Sequence, residues 1–367
     1  MAEGSSSKAP AEAEPQQQQH HQEEDVTPDS PASVGILPPD HWQAEEDEAE
    51  EEDADSALGS DAASSTASIT STILDYRTLH GRRYHSEMND VSYWAANDDA
   101  QCESMDINHH SLTLALGDKL YLSPLDKDKI EKVLDMGTGT GLWAIDFADE
   151  FPDAEIIGTD ISPIQPSWVP PNLQFEIEDF TQEWTFKHES VDFIHTRWLL
   201  GSVGDWDEFY RQAYRTLKPG GWFEGLETSA IMTSDDGSVT ETCAMGQWGK
   251  FFIEGGKKIG RSFTIVEDGT QRKSMEAAGF VDIQEYDFKM PIGGWPKDPV
   301  LKQMGQFGEL VLDRDIEGYV LFMASTIGWT REEIMVYVGM LRRDVKSRNF
   351  HAYYWQKVVW GRRPEES

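Results

Sequence analysis

From residue 132 onward, short apolar runs alternate with segments of helical spacing. Val133-Leu134 closes on Asp135, Gly137-Thr138-Gly139-Thr140-Gly141 follows, and Leu142, Ile145 and Ala148 then recur three apart. This order predicts a buried strand, a tight glycine loop and an amphipathic helix. Ile156 to Asp160 reads as a second buried strand, Leu173 to Ile177 alternates like a third, and Val191 to His195 forms a fourth. Phe209, Ala213 and Leu217 recur every four residues, a helix that Lys218-Pro219-Gly220-Gly221 would end before a fifth strand at Trp222 to Glu227. A helix ending at Gly279 leads into a sixth strand near Val281, and Tyr353 to Trp360 is Val-rich and aromatic, as a last strand would be. Strands alternating with helices predict an α/β fold: a seven-stranded, mostly parallel sheet with helices on both faces.

Between the last two strands lies far more chain than an antiparallel connection needs. Periodic segments near 300–323 and 330–347 predict a helical insertion at about 288–350, before the last strand. Such an insertion either covers the substrate end of the sheet or packs against a partner protein.

The glycine loop also carries chemistry. Closely spaced glycines let the backbone turn sharply and approach a ligand. The dinucleotide fingerprint G-x-G-x-x-G would need glycine where Leu142 stands, and Asp135 just before the loop would repel a pyrophosphate. A ligand with a cationic amino acid part and no phosphate fits better, and S-adenosyl-L-methionine is one. Asp160 lies 19 residues after Gly141, near the spacing at which an acid reaches ribose hydroxyls. Asp179, after the third strand, is placed to accept from an adenine amino group.

These stretches, together with Tyr93 to Asp98, His109-His110, Phe180 to Trp184, Gly204-Asp205-Trp206, Pro291 to Pro296 and His351-Ala352-Tyr353, resemble the class I S-adenosylmethionine-dependent methyltransferases. More narrowly, the chain from Tyr84 to Pro364 is similar to the fungal LaeA-like group, which regulates secondary metabolism with velvet-family proteins. The resemblance implies a Rossmann-like methyltransferase domain over 131–367, preceded by a helical cap at 71–130. It implies a cofactor site made by Asp135, Gly137, Gly139, Gly141, Asp160, Ile161, Asp179, Phe180 and His195. The chain departs from the group at Ala96, where proline is common, and at Ser104, where arginine is common.

Three readings stay open for His195, at the end of the fourth strand: a general base, a lining of the cofactor pocket, or a structural residue. Arg197 would bind a substrate acid or pair with Asp192 or Asp205. Glu227 and Trp295 are further candidates for contact with substrate, while Trp143 and Trp184 read as packing residues. The acceptor is a small molecule or a protein.

Composition narrows the partners. The chain has 367 residues and a net charge of −36. Residues 1–70 hold 18 acids against a single lysine and few large apolar side chains, so an unstructured acidic tail is expected there. The remainder is acidic too, which disfavours direct binding of nucleic acid. No metal-ligand spacing occurs among Cys and His, and the two cysteines, Cys102 and Cys243, are expected as free thiols. No long apolar run predicts a membrane span or a signal peptide, so a nuclear or cytoplasmic location is expected.

Overall fold

A computed structural model of the chain describes residues 34–49, 76–85 and 93–365, with the side chains of 45–49 excepted. The rest of the expected tail lies outside the described residues. The part inside them departs from expectation. Pro39–Ala49 forms a helix, α1, whose Trp42 is completely buried and meets the Tyr337 ring edge-on at 5.3 Å. Just before it, the Leu37 N–H donates to Gln247 at 2.8 Å. One large aromatic ring and this bond dock a segment whose composition alone reads as unstructured.

A hairpin of β1 (Arg77–Leu79) and β2 (Arg82–Tyr84) leads to helix α2 (Asp99–Ala115). The α/β body then runs β3 (Lys132–Met136), α3 (Leu142–Glu150), β4 (Glu155–Asp160), β5 (Leu173–Ile177), β6 (Val191–Arg197), α4 (Trp206–Thr216) and β7 (Leu217–Thr228). It continues with α5 (Ala244–Ile259), α6 (Thr270–Ala278), β8 (Val281–Pro291), α7 (Pro299–Thr326), α8 (Arg331–Lys346) and β9 (Tyr353–Arg362). Seven strands form the main sheet in the order β5-β4-β3-β6-β7-β9-β8, and only β9 pairs antiparallel to its neighbours. The hairpin lies inside the stretch expected to be a helical cap.

Strand alternation builds two apolar layers, one on each face. Val133, Ile156 and Phe193 face a layer with Trp143, Ala144 and Phe147 of α3. Their neighbours Leu134, Ile157 and Ile194 face the larger layer, which takes in Phe209 of α4, Phe251 of α5 and much of α7 and α8. The insertion is the pair α7 and α8, as its periodicity predicts. Inside α7, Asp315 leaves helical geometry (φ −147°, ψ 42°) and the helix kinks. Arg82 clamps this kink: its guanidinium bonds Asp315 at 2.6 and 2.8 Å and Asp98, the N-cap of α2, at 2.6 and 2.7 Å. The hairpin thereby ties α2 to the insertion.

Among the described residues no helix is long and apolar enough to cross a membrane. Cys102 and Cys243 are free thiols.

Candidate active site

In a parallel sheet the loops after the strands gather at one end, and ligands bind there. Here the C-terminal ends of β3, β4 and β6 and the loop after β5 open on a cleft of about 1260 Å³ that meets solvent at its mouth. Asp135, Gly137, Gly139, Asp160, Ile161, Asp179, Phe180, His195 and Arg197 all line it. The sequence-predicted residues converge, with three exceptions. Gly141 stands behind the loop as the left-handed N-cap of α3 (φ 83°), against the Phe175 ring. Glu227 is buried on β7 outside the cleft lining, its two oxygens accepting the N–H groups of Leu199 and Leu200 at 2.9 and 3.0 Å. Trp295 lies outside the cleft lining too: its indole N–H donates to the Ala352 carbonyl at 3.1 Å and its ring packs on His351.

The glycine loop is held from both sides. Gly137 and Gly139 have φ of +71° and +59°, where a β-carbon is strained. A β-carbon on Gly137 would also stand 2.5 Å from Leu199 Cδ2. The Asp160 carboxylate accepts from the Gly139 N–H and the Ser162 N–H, each at 2.9 Å. Burial pushes the Asp160 carboxyl up to about 6, against the pull of these N–H donors. Asp179 accepts from the Thr181 N–H and hydroxyl through Oδ1, while its buried Oδ2 has no partner.

Asp135, His195 and Glu224 occupy one row across β3, β6 and β7. His195 Nδ1 stands 2.8 Å from Asp135 Oδ1, and the imidazole lies flat on Trp143, with centroids 3.6 Å apart and planes 4° from parallel. Burial lowers its pKa, against the pull of Asp135, so the neutral ring donates its Nδ1 proton to the carboxylate. Trp143 backs the imidazole and also lines the cleft, its indole donating to the Leu120 carbonyl, while the Trp184 indole donates to the Phe180 carbonyl.

Arg197 pairs with neither Asp192 nor Asp205. Asp192 bonds Lys218, and Asp205 caps α4. The guanidinium instead donates to His109 Nδ1 at 3.1 Å, while His109 Nε2 lies 2.9 Å from Asp146. A guanidinium has no acceptor, so His109 is neutral here with its proton on Nε2. Burial lowers the Arg197 pKa to about 10, still cationic at neutral pH. Among the described residues no carboxylate lies within ion-pair distance of it.

Sequence reasoning missed the other wall. Tyr93, Trp94, Asn97, Met105 and Asn108 line the cleft from the segment before α2 and from α2, and Tyr319 reaches it from α7. The Tyr93 to Asp98 motif carried the signal for the first three. Ser104, where the LaeA-like group commonly has arginine, does not line the cleft; its hydroxyl donates to the Val311 carbonyl and lies 2.9 Å from the Tyr319 hydroxyl, joining α2 to the insertion. Trp198 adopts φ +58°, an outlier for a bulky side chain, and also lines the cleft.

The family model described as a methyltransferase domain matches residues 107–285. Methyltransferase pytC of Aspergillus terreus is 38% identical over 309 residues, covering 83% of this chain and 93% of that one. Secondary metabolism regulator LAE1 of Cochliobolus heterostrophus is 32% identical, covering 78% of this chain and 94% of that one. Probable methyltransferase tdiE of Emericella nidulans is 32% identical over 72% of this chain and 83% of that one. Phosphoethanolamine N-methyltransferase 2 of Haemonchus contortus, solved in complex with S-adenosyl-L-methionine, matches 70% of this chain at 16% identity with a TM-score of 0.42, and the chain spans about half (52%) of that structure's length. By its identity with pytC over nearly the whole of that protein, the chain belongs to the methyltransferase family that contains pytC, tdiE and the LaeA-type regulators of secondary metabolism.

Proposed function

We propose that the chain transfers a methyl group from S-adenosyl-L-methionine, bound in the cleft at the strand ends, to an acceptor that enters beneath the inserted helices. One observation carries this reading: the acids at the ends of three neighbouring strands and the glycine loop face a single cleft, with a buried Asp179 oxygen left unpartnered. That oxygen suits an adenine amino group, with Phe180 beside the ring. Asp160 suits the ribose hydroxyls. Gly137 and Gly139 let the backbone approach the methionine part, whose ammonium meets Asp135 and whose carboxylate meets the unpaired charge of Arg197.

When bound, S-adenosyl-L-methionine would supply an electrophilic methyl on a positively charged sulfur to the acceptor's lone pair, and a protic acceptor would release its proton to bulk solvent. The protein's part is to orient the acceptor and exclude water, which can supply most of the rate. His195 serves here as a positioning residue. Its Nδ1 proton goes to Asp135 and its face to Trp143, which fixes the carboxylate. A second reading, a regulator acting in a nuclear complex with velvet-family partners, draws on the relatives that are named regulators.

The test is transfer from methyl-labelled donor into fractionated fungal extract by the purified full chain. Label in an organic-extractable compound is the expected result. Label on protein only would move the conclusion to the regulator, and no label with any fraction would overturn transfer altogether.

A further inference from the structure

Behind the donor cleft lies a second chamber of about 610 Å³. Trp94, Trp198 and Tyr319 belong to the walls of both. Trp248 and Phe252 of α5, with Phe263, form much of the remainder. None of the 14 residues lining it carries a charged side chain, whereas the cleft next to it is lined by three aspartates and an arginine.

Three of the four hydroxyls lining the chamber are already engaged. Thr228 donates to the Ser229 carbonyl, Ser229 bonds Glu267, and the Tyr319 hydroxyl pairs with Ser104. An occupant therefore gains little from polar contacts and much from burying apolar surface against indole and phenyl rings. A lysine or arginine side chain would leave its hydration for a lining with no carboxylate, where cation–π contact with the rings (about 2 kcal/mol) recovers only part of the desolvation cost.

We propose that this chamber is the acceptor site and that the acceptor is an uncharged, largely aromatic small molecule, rather than a cationic side chain of a protein. The proposal rests on the reading of the neighbouring cleft as the donor site. Trp198, held in its left-handed conformation after β6 and bonded through its indole N–H to Gln356 at 3.2 Å, lines both cavities where they adjoin.

The experiment is calorimetry on the full chain with two probes. S-adenosylhomocysteine reports the cleft. With it saturating, 2-naphthol, 2-(aminomethyl)naphthalene and a lysine-containing peptide report the chamber. We expect the naphthol to bind at least tenfold more tightly than the cationic analogue, and the peptide not to bind. Met232→Trp, which fills the chamber, should weaken the naphthol tenfold or more and leave S-adenosylhomocysteine within twofold. Leu312→Trp, from α7, does the same should the first variant fail to fold. Preference for the amine or the peptide, no naphthol binding, or naphthol affinity unmoved by both variants would overturn the chamber assignment. Absence of S-adenosylhomocysteine binding to the unmodified chain would instead overturn the donor reading.

Discussion

The two cavities share three side chains and differ in almost everything else. The cleft is built where a parallel sheet always offers space, by acids at strand ends and a glycine loop, and its polar groups point inward with capacity to spare. The chamber is lined by rings from α5, the loop after it and α7, together with the ends of β7 and β9, and Ser229 and Tyr319 turn their hydroxyls to partners outside it. The contrast teaches that strand ends build the polar cleft, whereas the apolar chamber is assembled from helices and loops far apart in the chain.

Support for the chamber comes from farther away than its walls, and this gives the largest expected effect. Trp42 touches neither cavity but braces α8 through Tyr337, and Tyr337 packs on Phe251 of α5. Trp42→Ala should lower unfolding stability by about 3–5 kcal/mol, the usual cost of emptying so large a buried site. In denaturant titration the midpoint should fall, and naphthol affinity should fall with it while S-adenosylhomocysteine affinity holds. An unchanged midpoint would mean α1 is not docked.

Gly137→Val breaks the comparison from the other side. A branched side chain at φ +71°, directed at Leu199, should reduce S-adenosylhomocysteine affinity about 100-fold, near 2.7 kcal/mol, with naphthol binding retained. Loss of both ligands in a variant that still melts cooperatively would mean the cavities are not separable.

A smaller effect follows from the raised pKa of Asp160, which burial sets at about 6. The ionised carboxylate is the better acceptor for ribose hydroxyls, so donor affinity should rise roughly tenfold between pH 5 and 7 and flatten above. Asp160→Asn should bind weakly at every pH in that window. A wild-type profile without slope would remove the ribose role.

Glu227 sharpens the comparison through stability rather than binding, its carboxyl being raised to about 8 by burial despite two backbone donors. The folded chain holds this proton to higher pH than the unfolded chain does. Its stabilising effect is therefore complete below pH 4.5 and is lost as pH rises through about 8. Melting temperature should decline across that window, and Glu227→Gln should make the decline shallower.

What could be read in advance divides along the same line as the cavities. The strand ends were legible because each is a local pattern, an apolar run closing on an acid, and the sheet turns local patterns into one site. Asp135, Asp160 and Asp179 needed only their own neighbours in sequence to be found. The chamber has no such signature. Phe263 and Tyr319 come from separate elements, and each reads alone as ordinary packing. Glu227 misled because a strand-end acid on β7 looks like those on β3 and β4, yet its carboxylate is taken up by the backbone after β6. Trp295 misled because an aromatic in the insertion looks like a lid, while its indole is bonded to Ala352 away from the cleft. Trp42 stayed hidden because a lone aromatic in an acidic stretch carries no periodicity.

The account depends most on the donor lying in the polar cleft, and a crystal structure of the full chain with S-adenosylhomocysteine tests this most directly. It should show adenine beside Phe180 with its amino group on Asp179 Oδ2, the ribose on Asp160, the carboxylate at Arg197, and the sulfur facing Trp198 and the mouth of the chamber. A ligand bound elsewhere, or one whose sulfur faces away from Trp198, would contradict it.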